Sequence, residues 1–428
     1  MENCFPRMIC LRQKFPTQRP LDIAGTIEKE FDLKEIASGI SLGSKVAVAV
    51  GSRGVANLAQ IVFEVIKNLK RAGAHPFIVP AMGSHGGATA QGQVLILNGY
   101  GVSEAAMGVP IESSMEVELL GNAESGIPVY FSRAALSADS IVVVNRVKPH
   151  TDFFGDLGSG ILKMTAIGLA KHTGAAACHF VAARLGHERV IRNVSRFLVG
   201  SVPFLCGVAI IENQFHETHD LVVLKRGDVE QMEMKLLAQA KSLMPRLPFD
   251  DIDLLIVDWM GKNVSGAGMD PNVIGREVQG YSTSLIERQK VSPRIQRIVV
   301  CNLTPETHGN GIGIGMADFA ASRIVRSLDT RSTYVNALTA VTPQTAKIPI
   351  HFDTDREMIT AACASLCIDD VKSLRVLRIS DTLRLESLDA SEAFEEEVKS
   401  RQDLEIVREA RDIEFDSSGN LSPLQAPV

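Results

Sequence analysis

The sequence predicts an α/β protein of two domains, each built on a mainly parallel sheet. Three observations carry that expectation. Short β-rich runs alternate with longer stretches of helical spacing, an order that needs crossover connections and hence parallel strands. The chain has 428 residues, beyond the roughly 250–300 at which a single core stops growing. Pro245-Arg246-Leu247-Pro248 then interrupts the alternation before a second series of strands begins.

The elements follow in order. Lys45–Val50 (KVAVAV) reads as a buried strand. Asn57–Arg71 places Leu58, Ile61, Val62, Val65, Ile66 and Leu69 at helical spacing. Pro76–Pro80 is the next strand, and Ile141–Val144 and Val208–Ile211 join the same sheet. Ile161–Leu169 and Ala175–Phe197 read mostly as helix, and Gln231–Leu243 closes the first domain, residues 1–246. The second domain, 247–389, has strands at Ile252–Val257, Ile298–Cys301 and Ser373–Ile379. Its helices fall near Ala317–Ser327 and Arg356–Leu366. The charge-rich stretch Asp389–Arg411 reads as a solvated helix, and residues 390–428 are expected to pack back on the first domain.

Composition removes several function classes. Hydrophobic residues make up 45% of the chain and charged ones 22%, a globular profile that excludes disorder over most of its length. Lys and Arg number 44 against 50 Asp and Glu, which gives no basic footprint for nucleic acid or an anionic membrane. Aromatics are 5%, with one Trp, so base-stacking platforms are not expected. No apolar run reaches the roughly 18 residues that span a bilayer. Met1-Glu2-Asn3-Cys4 shows no basic region leading into an apolar one. The seven cysteines form no CxxC pair, which suits a reducing cytoplasm. A small-molecule partner remains.

Ligands in open α/β sheets sit beyond the carboxyl ends of the strands, so the chemistry is expected in the loops there. Gly51-Ser52-Arg53-Gly54 offers a hydroxyl and a planar cation for carboxylate or phosphate; a plain turn with a surface arginine is the alternative. Gly83-Ser84-His85-Gly86-Gly87 presents an imidazole, which titrates near neutrality, between glycines. The densest cluster runs from Asn145-Arg146-Val147-Lys148-Pro149-His150-Thr151-Asp152 to Gly158-Ser159-Gly160 and Lys163, with Lys171, His172 and His179 downstream. His85, His150, His172, His179 and His187 are five of the ten histidines. They suit a late first-row metal or acid–base work, although some are expected to be hydrogen-bonded scaffold. His172 and His179 share a face if one helix runs through both, which Thr173 and Gly174 oppose. The glycines of 309–315 do not fit a dinucleotide fingerprint, and His216-Glu217-Thr218-His219 lacks the zincin spacing.

With His85, His150, Lys163 and His179 in this order, the sequence resembles the nickel-dependent lactate racemase superfamily, from Lys45 to about Ile379. The resemblance implies two α/β domains with the active site in a cleft between them. It implies a racemase or epimerase of a 2-hydroxyacid that acts by hydride abstraction and return at the α-carbon. The cofactor would be a nickel-pincer nucleotide, tethered to Lys163, with His179 on the nickel; these two residues stand sixteen apart, the family's spacing. His85 and His150 match the catalytic pair. Ser52 and Arg53 match the loop that holds anionic groups, and Gly158 and Ser159 the loop near the cofactor.

The sequence also departs from the lactate enzymes. Their acid and Thr-Arg-Pro element are missing from the first loop, the interval from His150 to Lys163 is longer, and no Tyr-Gln-x-x-Lys element appears in 262–276. A larger hydroxyacid, such as a sugar acid or a dicarboxylic one, fits these changes better than lactate. Lys262 and Arg276 are the candidate replacement contacts for substrate, and surface charges beside a glycine turn are the alternative. Two other classes stay open. One is a nicotinamide-dependent oxidoreductase, against which the missing fingerprint counts. The other is a non-catalytic ligand-binding relative.

Overall fold

The structure, a computed structural model, describes residues 5–51, 54–151, 153–278 and 292–424. The chain divides into two compact units, Gln18–Met244 and a second formed by Met1–Thr17 with Pro245–Val428. Among the described residues no helix is long and apolar enough to cross a membrane.

The chain opens on β1 (Met8–Gln13), which belongs to the second unit. The amino-terminal unit then runs α1 (Ile23–Leu33), β2 (Lys45–Val50), α2 (Leu58–Arg71), β3 (His75–Pro80) and α3 (Ala90–Gly99). A hairpin of β4 (Val117–Ala123) and β5 (Ile127–Ser132) precedes β6 (Ser140–Arg146). Next come a short helix α4 (Ile161–Lys163), a wide π turn (Met164–Gly168), α5 (Lys171–Leu185) and α6 (His187–Ser201). The unit ends with β7 (Phe204–Glu212), β8 (Thr218–Lys225) and α7 (Val229–Leu243). Its sheet has the order β3-β2-β6-β7-β8. The first four strands are parallel, and β8 returns antiparallel on β7.

The KVAVAV pattern explains how this sheet is covered. Side chains alternate between faces. Val46, Val48 and Val50 point into a core shared with α1 and α2. Ala47 and Ala49 point into the opposite core, with Ile161, Leu162 and Ala166. The small alanines let the helical segment beyond Gly160 lie close to the sheet. All five side chains are fully buried, the pattern expected of a parallel sheet covered on both faces.

The carboxyl-terminal unit continues with β9 (Asp251–Met260), β10 (Arg294–Leu303), β11 (Phe319–Ala321), α8 (Ser322–Ser327) and α9 (Thr330–Thr339). It then adds β12 (Ile350–Phe352), α10 (Asp355–Ala364), β13 (Val376–Ile379), β14 (Ser387–Ser391) and β15 (Leu404–Arg411). Its sheet order is β12-β11-β10-β9-β13-β14-β1-β15. The strands from β12 to β13 are parallel, and the last three alternate antiparallel. Thr354 caps α10: its Oγ1 accepts from the Glu357 N–H at 3.2 Å and donates to the Glu357 carboxylate at 3.1 Å.

Three expectations need correction. Residues 390–428 do not return to the first unit; β14 and β15 clasp β1 inside the sheet of the second. The stretch Asp389–Arg411 is not one helix but strand, a short turn of helix at Glu395–Lys399, and strand. Its charges fooled the reading because an exposed edge strand carries them as readily as a solvated helix does. Leu404 and Ile406, two apart, supply the apolar side of β15. The helix expected across Ala175–Phe197 breaks at Gly186, whose φ is +83°, giving α5 and α6.

Candidate functional site

In the amino-terminal sheet β2 is flanked by β3 and β6, with Val50 in register with both Pro80 and Val144. The three loops that follow therefore leave the sheet at one level. The chain runs from β2 to α2 on one face of the sheet. From β6 it runs to α4 on the other. That divergence makes the end of β2 and β6 a topological switch point, where open α/β sheets bind ligands. Gly51 begins the β2 loop; Ser52 and Arg53, assigned to anions by the resemblance, lie outside the described residues, as does Asp152.

The loop after β3 carries His85. The Ala81 N–H donates to the Val50 carbonyl at 2.8 Å and the Gly83 N–H to the Gly168 carbonyl at 3.0 Å. The loop thus docks on the π turn that follows Lys163. Gly168 permits the approach, since a Cβ there would stand 2.6 Å from the Ala81 oxygen. Gly86, with φ +65°, has the Gly92 backbone 2.5 Å from where its Cβ would be, so only glycine serves. The His85 side chain is exposed.

The loop after β6 is pinched shut by Lys148 and Ser159, which exchange two backbone hydrogen bonds of 2.9 Å. Gly158 lets the strands pass, its missing Cβ falling 2.5 Å from the Lys148 oxygen. Asn145 Nδ2 donates to the Gly160 carbonyl at 3.3 Å. The Leu162 N–H donates to Glu233 Oε2 at 3.0 Å, so a carboxylate on α7 holds the start of α4. Glu233 is buried, and burial pushes its pKa up to about 7.

These constraints place Lys163. Its Nζ hydrogen-bonds His150 Nε2. The His150 ring stacks on Phe153 with centroids 4.5 Å apart. Phe153 stacks on His187 at 5.4 Å, and His187 meets the edge of His179 at 5.6 Å. His150, Lys163, His179 and His187 therefore share one cluster, and all four are half-buried. A helix does run through His172 and His179. Gly174 belongs in it because a Cβ would lie 2.4 Å from that of Ala170 and 3.0 Å from that of Tyr130. His172 points outward and is exposed.

The two cations expected from the second domain fare differently. Lys262 follows β9, at the carboxyl edge of its sheet, and its Nζ donates to Asn336 on α9. Arg276 lies at the opposite edge. It pairs with Asp318 at 2.9 Å and reaches the carbonyls of Ile295 and Gln296. Those residues open β10, and Asp318 precedes β11, so Arg276 is a clamp on the amino ends of strands, away from the ligand-binding edge. The substrate role expected for it is withdrawn.

Phe153, Glu233 and Gln93 were not singled out from sequence, and His187 was given no role. An aromatic next to the His150 motif was a usable signal for Phe153. Glu233 gave none, since a glutamate in a mixed helix reads as solvated.

Among the described residues no group of three or more His, Cys, Asp or Glu side chains stands together as a metal site. A metal at this cluster would need most of its donors from a bound group. His179, a half-buried imidazole, offers one metal donor in the same cluster as the Lys163 amine.

Residues 17–189 match the family model described as the lactate racemase N-terminal domain. This is a lactate racemase-type domain. All of it but Thr17 lies in the amino-terminal unit, and it contains His85, His150, Lys163 and His179. Two solved structures are similar to most of the chain at 14% identity. The lactate racemase apoprotein of Thermoanaerobacterium thermosaccharolyticum gives a TM-score of 0.47 over 88% of each chain. A protein of Thermotoga maritima from a structural genomics programme gives 0.49, over 77% of this chain and 84% of its own. No curated protein matches the chain.

Proposed function

We propose that the chain is a racemase or epimerase of a 2-hydroxyacid larger or more polar than lactate, working through a nickel-pincer nucleotide tethered at Lys163. One observation carries the reading: the Lys163 amine meets His150 inside the ring cluster that also holds His179.

The α-carbon of a hydroxyacid is weakly acidic, so inversion by proton abstraction there is difficult. When bound, the cofactor supplies a hydride acceptor and the sulfur donors of the metal. The chain supplies the rest. Lys163 must be neutral to form its link, and its Nζ hydrogen-bonds the His150 imidazole. His179 offers its imidazole to the metal. His85 and His150 leave different strands and are the groups that remove and return the hydroxyl proton. The substrate carboxylate wants a bidentate cation; Arg53 is assigned that place, with Lys262 the second candidate. Among the described residues Cys10, Cys178, Cys206, Cys301 and Cys367 are in no disulfide, which supports a reducing, cytoplasmic setting.

The test is to produce the chain together with cofactor-making enzymes. Intact mass should show a covalent adduct that Lys163→Ala lacks. The loaded protein should invert one acid in a panel of sugar acids and dicarboxylic hydroxyacids, and an α-deuterated substrate should keep its label. An adduct-free wild type, or washout of deuterium to solvent, would overturn the reading.

A further inference from the structure

Two fully buried polar side chains beside the site take no part in the chemistry above: Lys171 and Gln93. An ammonium inside a protein is expensive unless it is satisfied. Lys171 Nζ donates to the Pro80 carbonyl at 2.7 Å and to Gln93 Oε1 at 3.4 Å. Burial alone pulls its pKa down to about 8. Its backbone sits at φ +54°, a region that residues with a Cβ seldom occupy and that persists only where surroundings enforce it.

The other half of the Gln93 amide completes the arrangement. Its Nε2 donates to the Gly83 carbonyl at 3.0 Å and to the His85 carbonyl at 3.4 Å. A lysine can only donate and a carbonyl can only accept, so the amide orientation is forced: oxygen to Lys171, nitrogen to the loop. Lys171 is the first residue of α5, the helix that carries His179. Pro80 ends β3, from which the His85 loop departs. Two apolar residues of the same volume would fill the space without needing partners.

We infer that Lys171 and Gln93 are positioning residues, which fix the His85 loop against the helix bearing His179. The inference rests on the reading of His85 as an acid–base group. Neither side chain reaches the reacting atoms; both act through the backbone on either side of His85. Sites of this kind tolerate a displacement of only about 0.5 Å.

Two variants test this. Gln93→Glu keeps the shape and gives Lys171 a carboxylate, but sets an acceptor against the Gly83 and His85 carbonyls. Lys171→Met keeps the length and removes the donor; where it fails to fold, Gln93→Glu decides alone. The readout is the His85 imidazole resonance in protein labelled with 15N-histidine, assigned through His85→Gln. In both variants the His85 signal and its titration midpoint should move, while that of His219 stays in place. In the loaded enzyme kcat should fall about a hundred-fold with KM changed by no more than about twofold. An undisturbed His85 signal overturns the inference. A shifted His85 signal in a chain whose wild type inverts no hydroxyacid would instead sink the racemase reading and leave the positioning role standing.

Discussion

In the loops after β3 and β6 the amino-terminal unit sets imidazoles and an amine; at the carboxyl ends of β9, β12 and β13 the carboxyl-terminal unit sets carboxylates already closed by arginines. Asp258 takes Arg378 in two bonds of 2.9 and 3.1 Å and a third from the Leu424 N–H at 2.7 Å. Both oxygens of Asp355 accept from Arg323 Nη2, at 2.8 and 2.9 Å, and one accepts from the Leu421 N–H at 2.9 Å. Asp381 binds Arg384 and caps the Leu383 and Arg384 N–H groups. These lone pairs are spent on the fold. In the amino-terminal unit the hydrogen bonds that shape the loops are made largely by backbone and by buried helpers, Asn145, Gln93 and Glu233, while the ring of His85 is left exposed. A charge at the end of a parallel strand is therefore weak evidence of a site; what its atoms are already bonded to decides.

The comparison breaks first if the imidazoles are idle. His85→Gln and His150→Gln should each lower inversion by about 10²–10⁴-fold, the usual worth of a positioned acid or base, while the Lys163 adduct survives on intact mass. Full activity in either variant removes that residue from the chemistry and leaves the switch point of the first unit no better placed than that of the second.

The converse expectation is that the strand-end carboxylates of the second unit matter to stability alone. Asp258→Ala strands the Arg378 guanidinium, and Asp258 is 1% exposed. Removing one partner of a buried pair costs about 3–5 kcal/mol. The chain's single tryptophan, Trp259, lies in β9 beside it, so urea unfolding followed by tryptophan fluorescence reports this unit. The midpoint should drop sharply, with adduct formation at Lys163 unchanged under native conditions. A midpoint within error of wild type would show that the pair is dispensable and that Asp258 needs another explanation.

The sequence made legible whatever rests on local pattern. KVAVAV, the helix after Asn57 and the strand before Pro80 read directly from apolar spacing, and all three site loops follow strands identified that way. His150, Lys163 and His179 stand out by resemblance to a family, and the fold brings their side chains into one cluster. What stayed hidden depends on contacts distant in the chain. β1 finds its partners nearly four hundred residues on, Ile9 opposite Ala390 and Leu11 opposite Ile406, and no local pattern announces that. Arg276 looked like a binding cation because its partner Asp318 is 42 residues away. Glu233 and Gln93 carry no signal in the sequence for the same reason: their burial comes from α4 and from the His85 loop, not from their own helices.

The smallest expected effect sharpens the contrast between spent and unspent carboxylates. Among the described residues Glu233 is held by backbone N–H groups and by no cation, and its Oε1 is buried without a hydrogen-bond partner. Burial raises its pKa from 4.5 to about 7. The folded state therefore binds the proton more tightly than the unfolded one, so stability is highest below about pH 4.5 as far as this group is concerned. It declines as pH rises through 7, where the ion must be buried. A shift of this size corresponds to about 3 kcal/mol. Glu233→Gln keeps an acceptor for the α4 N–H groups and removes the charge. Calorimetric stability of the variant should exceed that of wild type at pH 8 by up to about 3 kcal/mol and converge with it near pH 4.5. The fluorescence of Trp259, in the other unit, should report no such pH-dependent gain. Parallel wild-type and variant curves across that range would mean that a positive charge reaches Glu233 after all, and that this carboxylate belongs with Asp258 and Asp355.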